Sequence, residues 1–221
     1  MPQRNAKAQR IAVLTGDVID SRKVRDRQHL YRVLDDTLAA LAKRQGGRAE
    51  RFRGDGFQLA LPHARHAMTA AIALRAALIE HSEPEQRWDA RIAVAVGPAA
   101  WHADLRVAEA DDEPFVASGR HLDALSESAD HLALTLLDEP DDGSLALLLR
   151  YLDDLVASWS HYSAEVVHLS IERELSQQAM AERLGIRQPS VHKRLRAARW
   201  PLLSDTLAYL ETRLADKDAR Q

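Results

Sequence analysis

Between Ile11 and Leu137 the chain alternates strand-patterned and helix-patterned segments in the order β-α-β-β-α-β-α-β, and after Asp138 every segment is helical in pattern. That order limits the fold more than any other feature, because a period of 2 and a period of 3.6 place side chains on incompatible faces. IAVLTGD (11–17) is a short apolar, β-branched run that ends in Gly-Asp, and it reads as a buried strand with an exposed C-terminal end. From Val24 to Arg44 the apolar residues Leu30, Val33, Leu34, Leu38 and Leu41 recur at helical spacing, and Gly46-Gly47 ends the run. ERFRGDGFQLAL (50–61) reads as two strands around Gly54-Asp55-Gly56, a hairpin signal, and Pro62 then opens an alanine-rich helix through Glu80. RWDARIAVAVG (87–97) and HLALTLL (131–137) are strands on either side of a polar loop (101–113) and a helix (114–127). Strands alternating with helices around a central hairpin predict an α/β sandwich of the ferredoxin-like type.

DEPDDGS (138–144) is the one clear linker, and the segments 145–158, 164–173, 176–200 and 201–214 after it are helical in pattern. The expected organisation is a disordered leader over 1–10, an α/β domain over 11–140 and an all-α domain over 141–221. No apolar stretch approaches the roughly 18 residues of a membrane span, and the short run after the basic N-terminus does not make a signal peptide. With no cysteine to form a disulfide or a thiolate metal site, a cytoplasmic location is expected.

The net charge of −3 excludes a globally basic nucleic-acid binder, so any such surface must be a local patch. One exists. In LSQQAMAERLGIRQPSVHKRLRAARW (175–200), Ser176 suits a helix N-cap, with Ala179, Met180 and Leu184 on the buried face. Gly185 suits a left-handed turn, and Gln188-Pro189-Ser190 begins a second helix with Val191 and Leu195 inward. Its outward face carries Gln188, Ser190, His192, Lys193, Arg194 and Arg196, and the stretch from Arg187 to Arg199 holds five Arg or Lys residues and no acid. Cations for phosphates, with Arg, Gln or Ser for base edges, are what a DNA recognition helix needs. A basic, merely solvated helix is the alternative. The spacing resembles the helix-turn-helix of many bacterial regulators, which implies double-stranded DNA as partner and a homodimer. The leucines of 201–214 suit either a dimer helix or packing within the chain.

In the predicted sandwich Asp17 and Asp55 meet at one edge of the sheet, a carboxylate pair suited to Mg²⁺ holding nucleotide phosphates. Ser21, Arg22 and Lys23 follow where a loop enters a helix and could face an anion, and Asp20 is a candidate third ligand. The alternative is that Asp17 caps a turn and Asp55-Gly56 is only hairpin chemistry. His63 and His66, three apart, lack an evident third metal ligand.

LTGDVIDSR (14–22) followed by RFRGDGFQLAL (51–61) resembles the SatD-like family of bacterial proteins and, more remotely, the catalytic domain of class III nucleotide cyclases. In those cyclases one metal aspartate ends the first strand and the other lies in a G-D-G-F hairpin, so the resemblance implies metal-binding roles for Asp17 and Asp55. RIAVAVGP (91–98) is similar to a later cyclase strand, and PFVASGRHLDAL (114–125) to the helix that carries an asparagine and, four residues on, a phosphate-contacting arginine. Arg120 matches that arginine, Val116 replaces the asparagine, and Ser21 stands where a phenylalanine is expected. The resemblance thus implies a cyclase-like domain that keeps its metal and phosphate elements. Two functions follow: a DNA-binding regulator whose N-terminal domain senses a nucleotide, or an active Mg²⁺-dependent cyclase or nucleotidyl transferase whose helix-turn-helix mediates assembly. A third possibility is DNA binding with a purely structural N-terminal domain.

Overall fold

A computed structural model of the chain describes residues 8–52, 54–102, 104–140, 143–173 and 175–215. Most of the expected leader lies outside the described residues. Its last part does not, because the first strand, β1 (Ala8–Val18), begins three residues before Ile11. It is extended by pairing along its whole length with β4 (Ala90–Ala100), in which Ala8 opposes Ala100. The sheet is completed by β2 (Arg48–Arg51), β3 (Phe57–Leu61) and β5 (Leu132–Leu136), in the order β2-β3-β1-β4-β5. The first four strands pair antiparallel in the split β-α-β arrangement that the sequence predicts, and β5 adds parallel to β4.

Helix α1 (Arg27–Gln45) starts later than the hydrophobic spacing indicates, because the Asp26 side chain accepts from the His29 amide at 2.9 Å and fixes the start there. Helix α2 (Ala67–Glu80) likewise begins five residues after Pro62, behind a short 3₁₀ turn at Ala64–His66. Alternation along β1 divides the core. Ala12, Leu14 and Val18 join α1 and α2 in the large core cluster, while Ile11 and Val13 face the other side with Val107 and with Phe115 of α3 (Glu113–Ser126). On that second face Ala93, Ala95 and Ala99 of β4 are small, which leaves room for α3 to lie close to the sheet.

The helical half comprises α4 (Ser144–Ala157), α5 (His161–Arg173), α6 (Gln177–Leu184), α7 (Gln188–Ala197) and α8 (Trp200–Leu214). The boundary expected near 140 separates element types but not cores, part of that linker (141–142) lying outside the described residues. Leu149, Leu152, Val156, Val167, Leu203 and Leu207 belong to the same buried cluster as α1, α2 and the sheet. The leucines of α8 therefore resolve in favour of packing within the chain: Leu203, Leu207, Leu210 and Leu214 are buried, and Leu202 is exposed. Helix α2 is the middle layer, buried on every face from Ala67 to Ile79 except at Thr69.

Arg75 is the one charged residue in that buried stretch of α2, and it is fully buried. Its Nε and Nη2 donate to the two carboxylate oxygens of Asp89 at 2.8 and 2.9 Å, and its Nη1 donates to Asp153 Oδ1 of α4 at 2.6 Å. Asp153 Oδ2 accepts from the His131 amide at 2.6 Å, and Asp89 Oδ1 from that of Ala90 at 2.8 Å. Burial pulls the guanidinium's pKa down, but the two aspartates outweigh it and keep it charged. A second contact between the halves is His168 of α5, set between Glu80 of α2 and Glu172. Burial lowers its pKa, yet the two carboxylates raise it to about 9, so the pair is ionic at neutral pH. No helix is long and apolar enough to cross a membrane among the described residues.

Breaking a buried ion cluster by removing one member leaves an uncompensated charge in the core. Arg75→Met is expected to lower unfolding stability by about 3–5 kcal/mol in urea denaturation, and Asp153→Asn by less, since the amide keeps the same shape.

Candidate functional site

The sheet-edge site begins with a close approach. A Cβ at Gly16 would lie 2.6 Å from the Arg91 carbonyl oxygen and clash with the edge of the fully buried Phe57 ring, so only glycine fits there. Gly16 and Phe57 are register partners, which places Asp17 one residue beyond the β1–β3 pairing and beside the hairpin loop. Of the loop between β2 and β3, Gly54 lies at φ +91°, Phe52 N donates to Gly56 O at 2.7 Å, and Arg51 Nη1 donates to Gly54 O at 2.8 Å. Motif residues that resemble cyclase chemistry thus have packing roles of their own. Gln58, also buried, donates to Thr15 Oγ1 at 2.8 Å, and Thr15 in turn meets Ser118 Oγ of α3 at 2.7 Å.

Asp17 lies on the α3 face of the sheet, half-buried, with Asp55 near enough to act on it electrostatically. Directly opposite in register stands Arg91 of β4, whose Nη1 is 3.5 Å from Asp17 Oδ2. The pair is loosely made: Asp17 Oδ1 and Arg91 Nε are both buried and have no hydrogen-bond partner among the described residues. Burial raises the Asp17 carboxyl above its ordinary pKa; Arg91 draws it back down and Asp55 pushes it further up.

The other expected phosphate contacts stand apart. Ser21 is buried in the 3₁₀ turn Ser21–Lys23, Arg22 is exposed, and Lys23 Nζ donates to Asp20 Oδ2 at 2.9 Å. Asp20, the candidate third ligand, is therefore paired with a lysine, and it sits in the left-handed region at φ +54°. Arg120 projects from the exposed side of α3 into an ion pair with Glu113, and Val116 lies on the same exposed side. Arg91, which sequence reading missed, is the arginine that the fold brings to Asp17. His66 lies 3.8 Å from Glu211 of α8, and no three metal-ligating side chains gather among the described residues. Asp17 and Asp55 are the two carboxylates that the fold brings to this edge.

The second site is built by α5, α6 and α7. Ser176 accepts from the Ala179 amide at 3.2 Å to cap α6, and Gly185 ends it at φ +63°. Arg187 then leads into α7, so the two helices are joined by a tight turn over 185–187. Met180, Ala181, Val191 and Leu195 bury against Val166 of α5, with Ile186 packed alongside. Ala181 takes the buried position expected of Ala179, which is half-buried. Gln188, Ser190, His192, Lys193 and Arg196 are exposed on α7, as are Arg187 and Arg199 at its ends. Arg194 is not on that outward set. It forms an ion pair with Glu165 of α5 and stacks 4.4 Å over the Tyr162 ring.

No protein-family model matches the chain, and no curated protein matches it significantly in sequence. Among solved structures, the chain is similar to the active GGEEF domain of a diguanylate cyclase from Vibrio cholerae, at 16% identity and TM-score 0.42, over 60% of this chain and 85% of that one. It is similar to an adenylate/guanylate cyclase/hydrolase from Silicibacter pomeroyi at 22% identity and TM-score 0.39, over 54% and 72%. A bacterial light-regulated adenylyl cyclase is matched at 14% identity and TM-score 0.43, over 58% of this chain but only 43% of that one.

A carboxyl whose folded pKa is raised loses stability as it ionises, so the penalty is absent below its ordinary value of 3.8 and present above it. Asp17→Asn is therefore expected to raise the unfolding midpoint at pH 7. The advantage over the natural chain should shrink as thermal melts are repeated down through pH 4.

Proposed function

We propose that the protein is a DNA-binding regulator in which α7 reads the major groove and the Asp17–Asp55 edge binds a nucleotide with Mg²⁺. The observation that carries the DNA reading is the exposed basic face of α7, presented by a two-helix unit that buries Met180, Ala181, Val191 and Leu195 against α5. Among its candidate contacts, the exposed Lys193 and Arg196 would neutralise phosphates, while Gln188, which donates to Gln177 Oε1 at 3.4 Å, and Ser190, at the helix N-terminus, would read base edges. Binding as a homodimer would set two such helices on paired half-sites, and ligand at the sheet edge would alter their relative placement. This reading keeps the resemblance to SatD-like proteins as its family context.

Lys193→Ala and Arg196→Ala are each expected to weaken binding to all DNA sequences and to reduce the slope of log affinity against log salt by about 1, measured by fluorescence anisotropy. Unchanged affinity in both variants would remove α7 as the contact surface.

A second reading, an enzyme that cyclises or transfers a nucleotidyl group, is favoured by the buried Oδ1 of Asp17 beside Asp55, which has no hydrogen-bond partner among the described residues. Val116 and the outward placement of Arg120 count against it. Incubation with ATP or GTP and Mn²⁺ is expected to give no cyclic product; product that disappears in Asp55→Ala would make the enzyme reading the correct one.

A further inference from the structure

We propose that the free edge of β5, flanked by the outer face of α4, is the surface on which a second copy of this chain docks, the two β5 strands pairing antiparallel across a two-fold axis at Leu134. The inference rests on the homodimer in the reading above and assigns its interface.

The two edges of the sheet differ in kind. β2 ends one side with Arg48, Glu50 and Arg51 among its four residues, and charges of that sort keep an edge strand from pairing with another chain. β5 ends the other side as LALTL, with neither a charge nor a proline. Its hydrogen bonding fixes which backbone groups face outward. His131 O accepts from Ile92 N at 2.9 Å, and Leu137 N donates to Val96 O at 2.8 Å, so the odd-numbered residues of this strand bond to β4. The N–H and C=O groups of Leu132, Leu134 and Leu136 point the other way, and none has a partner among the described residues. An antiparallel copy centred on Leu134 matches this pattern. Leu134 then opposes Leu134 of the partner copy, Leu132 opposes Leu136, and each pair exchanges two hydrogen bonds. This register alone pairs all three outward residues.

Five residues of strand are too few for a stable dimer, which takes about 800 Å² from each partner. Helix α4 supplies the remainder. It runs back along β5, since Leu145 lines a small cavity with Leu134 and Leu136 near its start, while Asp153 accepts from the His131 amide near its end. Leu134, Leu136, Leu145 and Leu148 are only partly buried, and Leu147 and Tyr151 on the outer face of α4 are 54% and 69% exposed. Those two side chains wall an open groove of about 450 Å³ beside the N-terminal end of β5. A two-fold axis at Leu134 sets the two outer faces side by side.

Charge agrees with the same arrangement. Antiparallel pairing brings the N-terminal end of one β5 to the C-terminal end of the other. Arg150 lines the groove at the first end, exposed and no nearer than 4.0 Å to Asp130. At the second end stand Asp138 and Glu139, bridged within their own chain by Arg10. Each Arg150 thus lies between its own Asp130 and the partner's Asp138, and the symmetry makes the contact twice. A foreign strand would find the same free backbone without this match of charge.

The test is the oligomeric state of the full-length protein without DNA, measured by sedimentation equilibrium. The natural chain is expected to be a dimer. Arg150→Glu combined with Tyr151→Asp, both at exposed positions, should weaken it by about thirtyfold or more, the scale of losing one anchoring aromatic. The sequence has no cysteine, so single introduced thiols report proximity. Mild oxidation should link two chains of Leu147→Cys, whereas Leu202→Cys, exposed on α8, should stay unlinked. Deuterium exchange at the Leu134 amide should be slow in the dimer and fast in the double variant, whose fold is checked by circular dichroism. A dimer indifferent to the double variant, with the Leu134 amide exchanging freely, would overturn the inference and leave the homodimeric reading in place. A monomeric natural chain would overturn the interface and the homodimer together and hand the edge to a strand of a different protein. DNA affinity lost on Lys193→Ala in such a monomer would still credit α7.

Discussion

Arg75 cannot be where it is without Asp89 and Asp153. A guanidinium in the middle of a helix buried on nearly every side must find carboxylates that reach it from other elements, and the two that do so come from the lead into β4 and from the middle of α4. Such a cluster contributes little net stability compared with an apolar core of the same shape, but it is exacting about geometry. It specifies how α2 is rotated, how β4 enters the sheet and where α4 crosses, because each of its hydrogen bonds fails if any of these slips. The hydrophobic surfaces of α2, α4 and α5 could pack in several ways; the ion cluster admits one.

Both candidate sites inherit their placement from that cluster. The strand that ends at Asp17 continues into Ile19, whose amide donates to the Asp89 carbonyl at 2.9 Å, so the exit of β1 is tied to the residue that receives Arg75. On the other side, α4 leads through Trp159 into α5, and the Trp159 indole donates to the Ala198 carbonyl at the end of α7 at 3.2 Å. The acidic sheet edge and the basic helix are thus attached to opposite ends of one buried polar assembly. Contiguity of this kind does not establish coupling, which requires an element with two arrangements. It does identify where such an element would have to act.

The order of strands and helices was legible because such patterns survive in a single sequence: the short apolar, β-branched run of IAVLTGD and the helical spacing of Leu30 to Leu41 need no partner to be read. Helix starts were less so, since Asp26 and the 3₁₀ turn before α2 set them through local hydrogen bonds rather than through the apolar pattern. Arg75 carried a signal that went unused, a lone cation inside AMTAAIALRAALIE, but its meaning depends on residues 14 and 78 positions away. The two aspartates of the sheet edge could be placed from the split β-α-β order. Arg91 could not, because its opposition to Asp17 is a matter of register between strands far apart in sequence. Arg194 illustrates the same limit on a helix. A helical wheel sets it outward with Lys193, and only the position of α5 shows that Glu165 and Tyr162 claim it.

The burial of α2 between the sheet and the C-terminal helices means that neither half has a finished surface of its own. In a ferredoxin-like sandwich standing alone, the outer side of this helix would face water and carry polar residues; here it carries Ala70, Ala73, Ala77 and their neighbours. A chain cut between β5 and α4 would leave two fragments with matching apolar faces, and they would remain associated or aggregate rather than live as independent modules. The helices that follow β5 are therefore not a detachable module. They come with the third layer of the fold.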